Sequence, residues 1–305
     1  MNASYASALA AAHDAAAGQH YPQGALYVVA TPIGNLADIT LRALHVLQRV
    51  DAIACEDTRH TQALLRAYGI ERSGSALIAV HQHNEAEAAQ QVLARLRAGE
   101  RVAYVSDAGT PAVSDPGARL VAAVHGAGLP VQPLPGASSV TTALSAAGAV
   151  DEHGAFVFAG FLPAKAGERA AAVQQLAGEP RAVVLLEAPH RIESLAAALA
   201  PLGARPVTVG RELTKQFEQI QTLPADQLAA WLAQDAQRSR GEFVLVLHPG
   251  TVDDHRDGEE QRVLALLLAE LPLKSAVRLA AEITGAPRNT LYEAALQLKK
   301  EAGDA

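Results

Sequence analysis

Residues 101–117 read RVAYVSDAGTPAVSDPG. An apolar run the length of one strand breaks without transition into a loop of acids, hydroxyls and turn formers. Two further stretches have the same form, LYVVATPIGN at 26–35 and VQPLPGASS at 131–139. Each runs from a strand into a small-residue loop and on into a helix. Ligands of open parallel sheets sit outside the carboxyl ends of the strands, where loop amides and helix N-termini point. Three such loops in one stretch of chain therefore predict a ligand site.

Outward from this segment the pattern alternates. Apolar runs LYVVA, DAIAC, ALIAV, RVAYVS and PVQPL are separated by helical stretches at Asp38–Val50, Thr61–Tyr68, Glu85–Ala98, Ala118–His125 and Ser139–Ala147. Strands spaced by helices predict a mostly parallel sheet with helices on its faces. Glycines after several helices are the usual left-handed stops. A second alternating unit follows, with strands at 155–160, 182–187, 206–210 and 242–248. The polar stretch HPGTVDDHRDGEE reads as a linker, and after it QRVLALLLAEL, LKSAVRLAAEITG and PRNTLYEAALQLKK read as three short helices of helix-turn-helix type. The expected division is a flexible extension at 1–23, α/β domains at 24–149 and 150–250, and a linker with a helical unit at 251–305.

The chain has 305 residues, half of them hydrophobic, which excludes general disorder. Cys55 is the single cysteine, so no internal disulfide and no multi-thiolate zinc site is available. The leading MNASYASALAAAHDAAAGQH lacks the basic start and dense apolar stretch of a signal peptide. No apolar run reaches the roughly 20 residues of a membrane span. A soluble, cytoplasmic protein without a membrane partner is expected. The net charge of −7 does not advertise nucleic-acid binding, but a whole-chain sum averages away any local basic face.

The candidate chemistry falls at strand ends. Pro32 and Gly34 keep the TPIGN loop free of bulk, so its backbone can approach a ligand. Asp107 directly follows its strand, placed to accept hydrogen bonds from an amine or ribose hydroxyls. Ser138 and Ser139 suit a helix cap or a ligand carboxylate. EDTRHT at 56–61 and HQHNE at 81–85 follow the second and third strands. His81 and His83 with nearby acids form only a weak metal pattern, and no metal is expected. Asp57 and Asn84 read equally well as helix caps. In the second unit Lys165, Arg191 and Lys215 each place a cation after a strand, an arrangement suited to a phosphate-rich partner. Neither GxGxxG nor GxxxxGK[ST] is present, so the dinucleotide fingerprint and the phosphate loop are unsupported.

TPIGNLADIT, EDTRHT, HNE, SDAGTPAVSDPG, LPGASS, GFLPAK, EAPHR and GREL-TK occur in that order. This series resembles the ribosomal RNA small subunit methyltransferase I family, within the tetrapyrrole methylase superfamily, from about residue 24 to the C-terminus. The resemblance implies two α/β domains of class III methyltransferase type holding S-adenosyl-L-methionine between them. It further implies a homodimer that methylates the 2′-hydroxyl of a cytidine in the decoding region of 16S ribosomal RNA, as free RNA or in the small subunit. It makes Pro32 and Gly34 the first cofactor loop and sets Asp107, Gly109 and Thr110 around the ribose and methionine portions. Gly136, Ala137 and Ser138 would contact the remainder, and Ala188, where serine is often expected, would close the site.

Within this reading Glu56, Asp57 and Lys165 are the candidate catalytic groups. Arg59, His83, Arg191 and Lys215 are the candidate RNA contacts, with Lys165 also suited to a phosphate. The second acid of the first loop, Asp115, reads as a cap of the helix near Gly117. Residues 261–305 hold six basic and five acidic side chains, so the tail grips RNA or packs as a dimer element without being strongly basic. Two alternatives stand beside this reading. One is a tetrapyrrole C-methyltransferase on the same scaffold, and the other is a non-catalytic RNA-binding ribosome-assembly factor.

Overall fold

The computed structural model describes residues 5–81, 84–114, 117–150, 154–250 and 253–303. His83 and Asp115 lie outside them.

The chain opens with α1 (Ala6–Ala16) and β1 (Leu26–Val29). Then come α2 (Leu41–Arg49), β2 (Ala52–Cys55), α3 (Thr58–Ala67), β3 (Leu77–Ala79), α4 (Glu85–Arg97), β4 (Val102–Val105), α5 (Ala118–Gly126), β5 (Val131–Leu134) and α6 (Ser139–Ala147). The five strands form a parallel sheet in the order β3-β2-β4-β1-β5, with Leu26 of β1 paired to Val102 on one side and Val131 on the other. The β2 and β4 side chains are buried throughout, as both faces of such a sheet are covered by helices.

The extension expected to be flexible is instead a helix packed on the body. Ala12 and Ala16 of α1 are buried, and Tyr5 meets the Tyr68 ring edge-on at 5.0 Å. Alanine loses little side-chain freedom in a helix, so a segment without an obvious apolar stripe still folds once a neighbour covers it. The helix expected from Asp38 begins at Leu41, because Thr40 accepts a hydrogen bond from the Ala43 amide and caps it.

The second unit continues with β6 (Phe156–Phe161), α7 (Ala166–Ala177), β7 (Ala182–Glu187), α8 (Ile192–Leu199), β8 (Pro206–Arg211), β9 (Gln219–Pro224), α9 (Leu228–Ala233) and β10 (Phe243–Leu247). Its sheet has the order β6-β7-β10-β8-β9, and only β6 and β7 are parallel neighbours. The sequence had suggested another parallel unit. β9 escaped notice because it is a polar edge strand, QIQTLP, without a buried run. The carboxyl ends of β6, β7 and β8 still share one edge, with the start of β10 set between the ends of β7 and β8: Phe243 pairs with both Glu187 and Arg211.

The two units are joined by an apolar layer. Val140, Ala143 and Ala147 on α6 pack with Val184, Val244 and Val246 of the second sheet, and Ile33 and Leu213 close the cluster. Beyond lie α10 (Asp253–Glu270), α11 (Leu273–Thr284) and α12 (Arg288–Gly303), packed around Leu264, Val277, Ala280 and Leu291. Most of the stretch expected to be a linker belongs to α10. Glutamate, glutamine and arginine are good helix formers, and a polar run without periodicity conceals a helix from pattern reading.

Candidate functional site

Strand order decides which loops meet. β4, β1 and β5 are adjacent, so the three small-residue loops emerge side by side, although about 30 to 100 residues separate them in sequence. They are hydrogen-bonded into one frame. Thr31 and Gly109 exchange backbone bonds, the Thr31 hydroxyl donates to the Ser106 carbonyl at 3.2 Å, and the Thr110 hydroxyl donates to the Ala137 carbonyl at 3.0 Å. Gly109 has φ +83°, a conformation that strains any side chain. Gly136 is small for a different reason, since a Cβ there would lie 2.8 Å from the Ala30 Cβ. Gly34 is likewise tight against protein, because a Cβ would meet Lys215 Cγ at 2.4 Å. The latter two glycines make room for neighbouring protein, and Gly34 also lines a cavity.

Further along the first loop, Ala112 and Ser114 hold positive φ angles of 66° and 69°. Glu85 anchors the loop's far end: the Gly117 amide donates to its Oε1 at 3.1 Å. Asn84 does not cap α4 through its side chain. Its Oδ1 accepts from the His81 amide and its Nδ2 donates to the Ala79 carbonyl.

The loop after β2 lies beside that after β4, and the Asp57 amide donates to Asp107 Oδ1 at 3.2 Å. Asp57 itself caps α3, accepting from the Arg59 amide at 2.8 Å and pairing with the Arg59 guanidinium at 2.9 Å. The Arg59 side chain and amide hold its carboxyl down to about 2. This depressed proton affinity and these commitments make it a poor base. Glu56 differs: burial pushes its carboxyl above the ordinary range, and the Asp107 and Asp57 charges add to the shift. Neighbouring Cys55 is buried, which pushes its thiol up to about 11 and leaves it inert.

The three cations expected to meet RNA from the second unit are each paired within it. Lys165 Nζ bonds Glu168 at 2.9 Å on an open surface and lines neither chamber described below. Arg191 Nε stands 3.0 Å from Oε1 of the wholly buried Glu187 side chain, an ion pair rather than a linear hydrogen bond. Arg191 also donates to the Leu162 carbonyl, so it serves the fold. Lys215 alone of the three reaches the cleft, bonded to Glu212 at 2.9 Å and paired with Glu242 at 3.2 Å. Burial lowers its pKa, but these carboxylates outweigh it and hold the ammonium above its usual value. The loop carrying it is strained, with φ of 52° at Glu212 and 67° at Thr214.

Between the sheets lie two chambers. The first encloses about 350 Å³ and is walled by Ile33, Ala108 and Ser139 from the first unit and by Phe161, Leu186–Pro189, Leu213 and Glu242–Val244 from the second. The second, about 420 Å³, is walled by Pro32, Gly34, Leu36, Asp107, Lys215 and the α3 residues His60, Ala63, Leu64 and Ala67. Ile33, Ala108 and Glu242 belong to both. Ala188 and Ser139 both line the first chamber. Pro32, Gly34 and Asp107 face the second chamber, while Gly109, Thr110, Gly136 and Ala137 build the frame. Sequence reading missed the apolar walls Ile33, Phe161, Leu213 and Phe243. The signal available was a large apolar residue inside otherwise small or polar motifs.

The first chamber fits an adenosyl sulfonium. Its walls are largely apolar, α6 begins there without a side-chain cap and so suits a carboxylate, and Glu187 Oε2 is a buried acceptor with no partner among the described residues. Among the described residues no group of three His, Cys, Asp or Glu side chains is arranged for a metal. None of the helices described is long and apolar enough to cross a membrane.

Two sheets clasping an apolar chamber at the ends of their strands, with a frame of small-residue loops, define a methyltransferase of the tetrapyrrole methylase class. The profile of the Tetrapyrrole (Corrin/Porphyrin) Methylases matches residues 25–229 and that of the RsmI C-terminal HTH domain residues 254–299. The fold is shared with cobalt precorrin-4 methyltransferase CbiF (TM-score 0.54, 19% identity, covering 75% of this chain and 98% of that one). It is shared also with uroporphyrin-III-C-methyltransferase from Thermus thermophilus (TM-score 0.52, 22% identity, 78% and 98%). The Ribosomal RNA small subunit methyltransferase I of Escherichia coli O157:H7 is 49% identical over 283 residues, 90% of this chain and 96% of that protein. That of Neisseria meningitidis serogroup B is 47% identical over 281 residues, 91% and 95%. The chain belongs to the ribosomal RNA small subunit methyltransferase I family, and it is an S-adenosylmethionine-dependent methyltransferase.

Proposed function

We propose that this chain methylates the ribose 2′-hydroxyl of a cytidine in the decoding region of 16S ribosomal RNA, acting in the cytoplasm as a homodimer. The observation that carries the reading is a second chamber beside the first that sets charged and hydrogen-bonding side chains against an apolar wall. Asp107, His60, Lys215 and Glu242 suit a nucleotide and would oppose the apolar face of a porphyrinoid. A non-catalytic assembly factor would have no use for a cofactor chamber. We assign 24–149 and 150–250 to the two domains that clasp these chambers and 251–305 to a separate helical unit.

S-adenosylmethionine supplies a methyl group on a positively charged sulfur. Ile33, Leu213 and Val244 exclude water from it, and the start of α6 together with Glu187 orients it. Transfer would join the hydroxyl oxygen to the methyl carbon as the carbon–sulfur bond breaks, and we assign the released proton to Glu56, which lines neither chamber but neighbours Asp107 of the second. A carboxylate with raised proton affinity suits that task better than the depressed Asp57. Alignment of oxygen, carbon and sulfur supplies several kcal/mol.

The test is transfer from labelled S-adenosylmethionine to small subunits of a strain lacking this protein, read by nucleoside mass spectrometry. A gain of a 2′-O-methylcytidine derivative is expected. An unchanged nucleoside profile would sink the reading.

A further inference from the structure

The two chambers meet at a common rim of Ile33, Ala108 and Glu242. In-line methyl transfer needs donor and acceptor on opposite sides of one such rim. We propose that the second chamber holds the acceptor nucleotide itself, extruded from its RNA helix, with its base against the α3 wall and its ribose turned toward the first chamber. The inference rests on the function proposed above and adds the acceptor's location and the means of its selection.

Three observations carry it. At about 420 Å³ the recess admits one nucleotide and no helix, so the target must leave its stack. One wall is apolar, formed by Leu36, Ala63, Leu64 and Ala67, and it matches the face of a base. The same chamber presents a donor beside an acceptor. Lys215 Nζ lies 3.2 Å from Glu242 Oε2, and after bonding Glu212 and Glu242 the ammonium retains one N–H. Cytosine offers the complementary edge, a donating 4-amino group next to accepting N3 and O2. Uracil reverses that order with an accepting O4 and a donating N3, which would set oxygen against carboxylate.

The experiment uses the full chain. Ala63 is exposed on α3, so Ala63→Trp fills the second chamber without entering the core or the first chamber. Methyl transfer to small subunits should fall about a hundredfold, the scale of a misplaced acceptor. S-adenosylmethionine affinity by calorimetry should stay unchanged. Glu242→Gln should reduce discrimination between subunits carrying cytidine and those carrying uridine at the target about tenfold, the scale of one base-edge contact. Full-rate transfer by Ala63→Trp would overturn the proposal while leaving the methyltransferase reading intact. Loss of cofactor binding by Ala63→Trp would overturn the separation of the two ligands, and undiminished discrimination by Glu242→Gln would overturn the base contact. No transfer by the unaltered protein would overturn the functional reading and this inference with it.

Discussion

Thr31 and Gly109 exchange both backbone hydrogen bonds, at 2.9 and 3.0 Å, and so lock the loop after β1 to the loop after β4. The bridge requires Gly109 at φ +83°, and a Cβ there would stand 3.2 Å from Ile33 Cγ2 at the chamber rim. Gly109→Ala should cost about 1–2 kcal/mol of stability, as left-handed backbone does for an L-residue. It should also weaken S-adenosylmethionine binding, because Ile33 must yield. Denaturant titration and calorimetry check the two halves. Full stability with normal cofactor affinity would show that the bridge is not what shapes the chamber.

Lys215 and Lys165, which look alike in sequence, should separate in function. Lys215→Ala leaves Glu212 and Glu242 without their shared cation at the cleft and should lower methyl transfer by about tenfold or more, equivalent to about 1.4 kcal/mol. Lys165→Ala removes only an exposed pair of the kind worth about 0–1 kcal/mol and should leave the rate within about twofold. Steady-state kinetics on small subunits distinguish them, and equal losses would contradict the geometry.

Glu56 should govern the acid limb of the rate. Its carboxyl is raised by burial first and by Asp107 and Asp57 next, so it becomes protonated, and useless as a base, at a pH above the ordinary value of about 4.3. The rate should fall as pH drops through that raised value. Glu56→Gln should reduce kcat about 10²–10⁴-fold and abolish the limb, with cofactor affinity preserved. An unchanged profile in the variant would transfer the role elsewhere.

His45 should make the protein acid-sensitive away from the site. It is 5% exposed, its Nε2 has no partner among the described residues, and it stacks with His13 and Tyr21 beneath α1. Burial, then Arg49 and His13, lowers its proton affinity. The unfolded chain therefore binds the proton more readily, and the stability present above about pH 6.5 is lost as pH falls toward the lowered folded value. Melting temperatures should decline over that interval, and His45→Leu should flatten the decline.

Much of the local chemistry was legible in the chain itself. Alternating apolar and amphipathic runs located the strands and helices of the first unit to within a few residues, because those periods reflect burial of each element's own face. The ordered motifs pointed to the family and its cofactor. Long-range pairing then decided what local pattern does not encode. The order β3-β2-β4-β1-β5 gathers TPIGN, SDAGTP and PGASS into one frame and leaves Asn84 and Glu85, which follow β3, at the far edge. Antiparallel β10, entering between the ends of β7 and β8, brings Glu242 to Lys215. Two adjacent acids also received opposite fates, Asp57 spent as a helix cap at about 2 and Glu56 half-buried with its proton affinity raised. A carboxylate's role depends on the donors and charges that tertiary folding places around it. Sequence therefore determined which groups are present at the strand ends, and the fold decided which of them remain available.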